Sequence, residues 1–444
     1  MSDRPKKREI LKHTSIAAGA TALTSSITPK VHAAGDETIK VALVGCGGRG
    51  TGAAAQALKT AGPVKLWAMA DVFEDKLESS LTALIKGQEG RYDREKHAGF
   101  SDRIDVPPER RFVGWEAYKK AIDSGVDLVI LTTFPHFRPM QYEYAVAKGK
   151  HVFMEKPVAV DASGIRKILA ANEVAKKKNL KVGVGLQRRH HPAYEETMTR
   201  LQEGAIGPIQ LLLCYWNSGM ASKLDPRGDL SEMEFQMRNK YFFTWLAGDH
   251  IVEQHIHNLD VCNWIMDNHT VECNGMGGRM YRNGREHGNI FDHHYVEYTY
   301  ADGTKMYSQC RHVPKCFNKV TEHAQGLKGT VALDNRSGVI EAGDASWRFR
   351  GKKANPYQIE HDCLFDAVRN DKPYNEADYG ALSTMTAIMG RMATYSGKVV
   401  KWDEALASTV ELAPDRYAWD GTPPVVPNAD GCYPCAMPGV TKVL

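Results

Sequence analysis

Along the chain, two kinds of apolar patterning follow one another. After residue 35 the alternating run "TIKVALVG" gives way to glycines and then to the alanine-rich "GTGAAAQAL", which predicts a strand, a turn and a helix. "VKLWAMAD" repeats the strand pattern, and "GVDLVILTT" is apolar almost throughout, as a parallel strand buried on both faces requires. The helix "MQYEYAVAKG" and the strand "HVFMEKPVAV" continue the alternation, so residues 35–160 read as an α/β Rossmann domain with a doubly wound sheet. Within it, the charged stretch from about Leu77 to Arg111, with several Gly and Pro, reads as a surface insertion.

Beyond about Lys181 the pattern changes. "IQLLLCYWN", "HHYVEYTYAD" and "TKMYSQCRHV" are strand-like runs separated by turn signals, which predicts a mostly antiparallel sheet with a few helices. Residues 161–414 therefore read as an α+β domain. Its last helical runs, "IEHDCLFDAVRNDK" and "ALSTMTAIMGRMATYSG", are interrupted at Pro373, and a Pro-rich tail, 415–444, is expected to lie extended over the surface.

A chain of 444 residues exceeds one ordinary core, in keeping with two domains. Its net charge of +4 is small and both signs are mixed along it, which argues against nucleic acid as a partner. Residues 1–34 have a basic start, a short mildly apolar middle and small residues before Ala34, the make-up of an export peptide. Lys7-Arg8 resembles a twin-arginine signal with Lys7 in place of the first arginine. The segment from Thr14 to Ile27 is too short and too rich in Thr and Ser for a stable membrane span. The expected location is the periplasm, with the cytoplasm as the alternative. Nine cysteines lack a framework spacing, and Cys432 and Cys435 have no second pair or histidines for zinc, leaving a surface disulfide or two free thiols.

Candidate chemistry begins at Gly45, Gly47 and Gly50, which stand at the GxGxxG positions between a strand and a helix. There they allow a tight turn, close approach of a pyrophosphate and packing of helix on strand. Asp71 ends the next strand, where a carboxylate binds ribose hydroxyls and repels a 2′-phosphate. NAD is therefore expected and NADP disfavoured, although Arg49 in the glycine loop could offset this. Ligands of such sheets sit at the carboxyl ends of the strands, which places Thr133, Pro135, His136, Glu155 and Lys156 along the cofactor groove.

These motifs, with "TFPHFRP", "AVAKGKHVFMEKPVAVD" and "GLQRRHHPAY", resemble the glucose-fructose oxidoreductase / inositol dehydrogenase / rhizopine-catabolism (Gfo/Idh/MocA) family over nearly all of the chain between leader and tail. The resemblance implies that the lysine of EKP acts on a sugar or polyol together with a histidine four residues after an acid. Here that pattern falls on Lys156, Glu253 and His257, with Asp260 at the following acid position. Glu253 replaces the usual aspartate, and Phe134 stands where proline is common. The resemblance further implies that the second domain is a large open sheet that closes over the nicotinamide and is used to form homo-oligomers.

The window "GDHIVEQHIHNLD" can then be read as one helix whose stripe carries His250, Glu253, His257, Asp260 and Trp264, with His255 pointing elsewhere. The HExxH spacing is absent and no strong second ligand group is evident, so no metal is expected. Acid/base chemistry fits better: His257 takes a hydroxyl proton, Glu253 holds its tautomer, and Lys156 polarises the oxygen. Gln187 is assigned to the cofactor groove; Arg189 and His250 are assigned to substrate recognition, Trp216 to stacking on a sugar face, and His293 or His294 to substrate hydroxyls. The expected activity is NAD-dependent oxidation of a carbinol of a sugar, polyol or glycoside. One rival is a redox-neutral glycosidase or lyase with tightly bound NAD, suggested by export away from free cofactor. Another is a non-catalytic sugar-binding protein, which would not need Lys156, Glu253 and His257 together.

Overall fold

The computed structural model describes residues 37–89, 96–219, 224, 227–284, 287–335, 337–352 and 354–444; the export peptide expected at 1–34 lies outside them. The first layer consists of β1 (Ile39–Val44), α1 (Gly48–Lys59), β2 (Val64–Asp71), α2 (Glu74–Lys86), the short pair β3 (Gln88–Glu89) and β4 (Lys96–His97), β5 (Arg111–Val113), α3 (Ala117–Asp123), β6 (Leu128–Leu131), α4 (Arg138–Ala147), β7 (His151–Met154), α5 (Ala162–Lys177) and β8 (Val182–Val184). Six of these strands form a parallel sheet in the order β5-β2-β1-β6-β7-β8. Chain order reverses between β1 and β6, so a crevice opens at their carboxyl ends. Every residue of β6 is buried, as its unbroken apolar run requires. The sheet continues past residue 160, through α5 to β8.

The stretch read as a surface insertion is instead largely part of this layer. Leu77, Leu81 and Leu84 recur on one face of α2 and are buried among β1 and β2 residues. The charges of α2 occupy its other face, which is what gave the segment its surface character. β5, at the end of the stretch, is the edge strand of the sheet.

The second layer follows as α6 (Pro192–Gln202), β9 (Ile209–Ser218), α7 (Glu232–Arg238), α8 (Thr244–Ala247), α9 (His250–Glu253), α10 (Ile256–Met266), β10 (Thr270–Gly278), β11 (His293–Tyr300), β12 (Lys305–His312), β13 (Lys319–Gly326), β14 (Gly329–Asp334), β15 (Ser337–Glu341), β16 (Trp347–Arg348), α11 (Pro356–Arg369), α12 (Ala377–Ser396), β17 (Val400–Lys401) and α13 (Trp402–Ala407). Its nine-stranded sheet runs β16-β15-β14-β13-β9-β12-β11-β10-β17 and is antiparallel at every pairing except β9 with β12. In β11, His294, Val296, Tyr298 and Tyr300 are buried while the residues between them are more exposed, the signature of a sheet with one covered face. α12 is buried almost all round because it packs on β10, α10 and, from the first layer, α5.

Helices α11 and α12 break around Pro373 as expected. The tail has no helix or strand beyond α13, yet it does more than cross the surface. Tyr433 is buried, and Tyr417 and Trp419 pack with Phe137 and Trp245 in an apolar cluster. All nine cysteines are free, and the Cys435 thiol donates to the Asn289 carbonyl at 3.3 Å. Among the described residues, no helix is long and apolar enough to cross a membrane.

Candidate active site

A cavity of about 770 Å³ lies at the carboxyl ends of β1, β2 and β6, walled by Gly45, Gly47, Asp71, Thr132 and Thr133 and, from the second layer, by the segment around Lys240. The three glycines of the loop differ in what they make room for. Gly45 has φ +97°, and a Cβ there would sit 2.4 Å from the Thr133 nitrogen. A Cβ on Gly50 would lie 1.9 Å from the Gly45 carbonyl oxygen. Both are required by the chain's own packing. A Cβ on Gly47 would meet nothing within 4 Å, so its smallness serves approach from the cavity. Gly47 also caps α1, with no side chain on the cap and no acid in the first turn, leaving the positive end of the helix dipole to an anion.

Asp71 is fixed by two backbone donors, Phe73 N–H to Oδ1 at 2.9 Å and Cys46 N–H to Oδ2 at 2.5 Å. Burial raises its carboxyl above the ordinary range against the pull of these bonds. The glycine cradle, the uncapped helix end and this carboxylate together fit a dinucleotide. Arg49 does not line the cavity. Its guanidinium is held by Glu155, by Glu360 at 3.1 Å and by Gln56 at 2.8 Å, so it leaves Asp71 unopposed. Lys76 and Arg238 on the cavity wall are themselves paired, with Asp75 and with Glu234. Replacing Asp71 by Ser is expected to raise the ratio of NADP to NAD affinity, as competing nucleotide titrations would show; an unchanged ratio would remove Asp71 from cofactor selection.

The other groove residues are arranged differently from the expectation. Thr133 does line the cavity, with its hydroxyl donating to Gln141 at 2.6 Å. Pro135 opens a buried 3-10 turn. His136 is bonded through Nε2 to the Tyr417 hydroxyl at 2.7 Å and lies edge-on to Trp245, where burial lowers it to about 4. Glu155 belongs to the Arg49 pair, and Gln187 donates to the Tyr357 hydroxyl at 3.2 Å. None of these four is on the cavity wall; the tail supplies the partner of His136, α1 that of Glu155 and α11 that of Gln187.

The window from Gly248 to Asp260 is not one helix. It is α9 and α10, broken at Gln254 and His255, so the single stripe does not form. Lys156 at the end of β7 nevertheless reaches it: Nζ donates to the Glu253 backbone carbonyl at 2.5 Å. Lys240 joins this centre to the cavity, since it lines the cavity and bonds Glu253 Oε1 at 2.9 Å. Burial pushes the Glu253 carboxyl up, but Lys240 and Lys156 together hold it below the ordinary range. Burial likewise lowers Lys156, against Glu253 and Glu155.

His257 is buried, with its ring stacked on Trp216 at 5.9 Å and 21°. Burial first, then the charges of Lys156, Arg188 and Arg49, hold its imidazole well below 6.5, so the ring is neutral at neutral pH. This corrects the expectation for Glu253: the ring is tuned by cations, and Glu253 does not fix its tautomer. His257 Nδ1 and Glu253 Oε2 are both buried without a hydrogen-bond partner, and so are not bonded to each other.

Asp260 and Arg189 hold each other, through Arg189 Nη2 to Oδ1 at 2.9 Å and Nε to Oδ2 at 3.0 Å; the Ser383 hydroxyl adds a bond at 2.7 Å, and the guanidinium lies 3.9 Å over the Tyr379 ring. Neither is placed to serve a proton or a substrate. Asp260→Ala, which leaves Arg189 unpaired, is expected to cost about 3–5 kcal/mol of stability. Denaturant titration would check this, and a loss under 1 kcal/mol would contradict the pairing.

His293 is partly exposed and bonded to Asp292 at 2.7 Å; His250 and His294 are buried around Asp249. Sequence reading missed Lys240, Arg188, Glu322 and Asp249. Glu322 was hidden in the polar-looking strand "KVTEHAQG", although it is buried and receives Arg188, Asn258 and the Tyr194 hydroxyl at 3.0 Å. Asp249 could have been noticed, since Asp after Gly tolerates the positive φ of +74° it adopts.

Residues 39–186 match the GFO_IDH_MocA family model, described as an oxidoreductase family with an NAD-binding Rossmann fold. The inositol 2-dehydrogenase of Acidothermus cellulolyticus is 26% identical over 181 residues, covering 40% of this chain and 44% of its own. That of Acidiphilium cryptum is 26% identical over 246 residues, covering 55% and 59%. The chain thus spans about half the length of the curated relatives it matches. Among solved structures, the aldose-aldose oxidoreductase from Caulobacter crescentus complexed with glycerol aligns with TM-score 0.63 at 18% identity, over 82% of this chain and 99% of that one. The scyllo-inositol dehydrogenase from Lactobacillus casei with bound NAD(H) and scyllo-inositol aligns with TM-score 0.61 at 19% identity, over 82% and 99%. At such identities the likeness is one of fold. With its glycine cradle and parallel sheet in place, the N-terminal part of the chain, residues 39–186, is similar to the Gfo/Idh/MocA oxidoreductases, and the large second sheet is shared with their solved folds.

Proposed function

We propose that this protein oxidises a carbinol of a sugar or polyol with NAD, using His257 as the base and Lys156 as the donor to the substrate oxygen. The observation that carries the reading is the meeting of two distant segments: Lys156 Nζ reaches the Glu253 carbonyl, and its charge acts on the neutral His257 four residues further on. The relatives named as inositol dehydrogenases, and the neighbours with bound glycerol and bound scyllo-inositol, support a polyhydroxylated substrate. Bound nicotinamide supplies the hydride acceptor.

The protein's own groups do the rest. Lys156, held by a backbone carbonyl at the turn, presents N–H donors to an oxygen gaining negative charge. The buried, neutral ring of His257 accepts the hydroxyl proton. Glu253, anchored by Lys240, keeps the carbonyl that binds Lys156 in position.

The pH dependence follows in sign. A base whose pKa is depressed stays unprotonated until the pH falls below that value, so the acid limb of kcat/KM is expected below pH 6.5. A limb at or above that pH would contradict the cationic setting of His257.

The direct test incubates the purified chain with NAD and a panel of inositols, aldoses and aryl glycosides, following reduced nucleotide and free aglycone. Reduced nucleotide appearing with a free polyol or aldose supports the proposal. Aglycone release without net reduction would replace it with a redox-neutral glycoside cleavage, and nucleotide-free protein that binds sugar without turnover would make the fold a binding protein.

A further inference from the structure

We propose that Asp249, His250 and His294, with His312 beside them, form a buried site for one divalent first-row transition-metal ion behind the turn that carries Glu253. The three residues offer ligand atoms that all lie within 4.8 Å of one another, and all are buried. They come from separate parts of the chain. Asp249 and His250 begin α9, and His294 stands on β11 opposite Cys310 of β12. His312 lies two residues further along β12 on the same buried face, its ring stacked on His250 at 4.5 Å and 28°.

The hydrogen-bond partners decide which ring nitrogens carry lone pairs. Asp249 Oδ1 lies 2.8 Å from His250 Nδ1, and an ionised carboxylate only accepts, so the proton is on Nδ1 and the lone pair on Nε2. His294 Nδ1 is 2.9 Å from the Thr394 hydroxyl oxygen, whose own hydrogen has carbonyl acceptors at 3.1 Å in Gly390 and Arg391. With that hydrogen so directed, His294 Nδ1 donates and its Nε2 keeps a lone pair.

The Nε2 atoms of His250, His294 and His312 are all buried without a hydrogen-bond partner. His294 Nε2 also stands 3.3 Å from Asp249 Oδ2. With the ring in its neutral Nδ1–H tautomer these are two acceptors, which repel unless a cation lies between them. Asp249 is meanwhile anchored for a ligand's role, receiving the Tyr395 hydroxyl at 2.6 Å and the Phe291 N–H at 2.9 Å on the same oxygen.

A carboxylate that orients one imidazole through Nδ1 while Nε2 faces inward is the arrangement that surrounds metal-ligating histidines. Nitrogen and oxygen donors without a thiolate select Zn²⁺ or a neighbour in the first row over Mg²⁺ or Ca²⁺. Metal–ligand bonds of about 2.0–2.1 Å place tetrahedral donors about 3.4 Å apart, so the widest pair must close by little more than 1 Å. No spacing motif marks the set, and for this reason sequence reading predicted no metal. An ion here would clamp the start of α9 against β11 and β12 and so hold the turn that receives Lys156.

The test uses the untagged full chain, incubated with Zn²⁺, dialysed and measured for bound metal. Close to one ion per chain is expected, falling to about a tenth or less in the His250→Gln/His294→Gln double variant, with the wild-type melting temperature dropping when a chelator removes the metal. If the double variant does not fold, X-ray absorption on the Co²⁺-loaded wild type decides, with nitrogen and oxygen neighbours including imidazole expected. Wild-type protein that retains no Zn²⁺, a folded double variant that retains it fully, or a sulfur neighbour on cobalt would each overturn the proposal. None of these readouts depends on catalysis, so failure here leaves the proposed reaction standing.

Discussion

His257→Ala is expected to reduce kcat/KM by a factor of ~10²–10⁴, the usual contribution of a positioned base, while nucleotide affinity stays within about threefold of wild type, a difference under 1 kcal/mol. The two effects separate because His257 is not on the wall of the dinucleotide cavity. Its ring is stacked on Trp216 and is not hydrogen-bonded to Glu253, so truncation leaves no buried ion without a partner. Glu253→Gln provides the contrast. It weakens the link to Lys240 and disturbs the carbonyl that binds Lys156, so it should lower kcat through positioning while the acid limb of the pH profile persists. Steady-state kinetics beside a nucleotide titration would check both. Activity retained in His257→Ala would remove the imidazole from the mechanism.

The second and third glycines of the motif should respond in opposite ways to the same small change. Gly50→Ala puts a Cβ 1.9 Å from the Gly45 carbonyl oxygen, contact that only a backbone shift relieves, so about 1–3 kcal/mol or more of stability is expected to be lost together with nucleotide binding. Gly47 has φ −72°, which any residue adopts, and its Cβ would point into open space. Gly47→Ala should therefore melt within about 0.5 kcal/mol of wild type yet bind NAD at least ~10-fold more weakly, a difference of about 1.4 kcal/mol. Thermal melts with and without NAD would show the split. A Gly47→Ala protein that binds NAD as tightly as wild type would mean that no pyrophosphate approaches at that point.

The parts of the fold legible in the sequence were those whose residues answer to one local rule. The glycine loop, the apolar run of β6 and the alternation of β11 each follow from neighbours in the chain, and each stands where its pattern put it. α2 was misread because its exposed charges outnumber the three leucines that bury it. The meeting of Lys156 with the segment of Glu253 and His257 was legible in the sequence context, but the surroundings of these residues were not. Arg49 and Glu155, Arg189 and Asp260, and His136 and Tyr417 satisfy one another across 106, 71 and 281 positions of sequence. Polar residues gathered near a groove resemble ligand contacts until their partners are known. The break between α9 and α10 was hidden for a related reason: helical periodicity runs on through Gln254 and His255, although the chain turns there to meet Lys156.

The most direct measurement follows a deuterium atom. A polyol that turns over in the panel, deuterated at the reacting carbon, would be mixed with the enzyme and NAD for a single turnover, and the nucleotide recovered for mass spectrometry. Deuterium in the reduced nucleotide from wild type, and none from His257→Ala with NAD still bound, is the result predicted if Lys156 and His257 act on one carbinol beside the cavity. Oxidised polyol formed by wild type while the nucleotide stays unlabelled would contradict it.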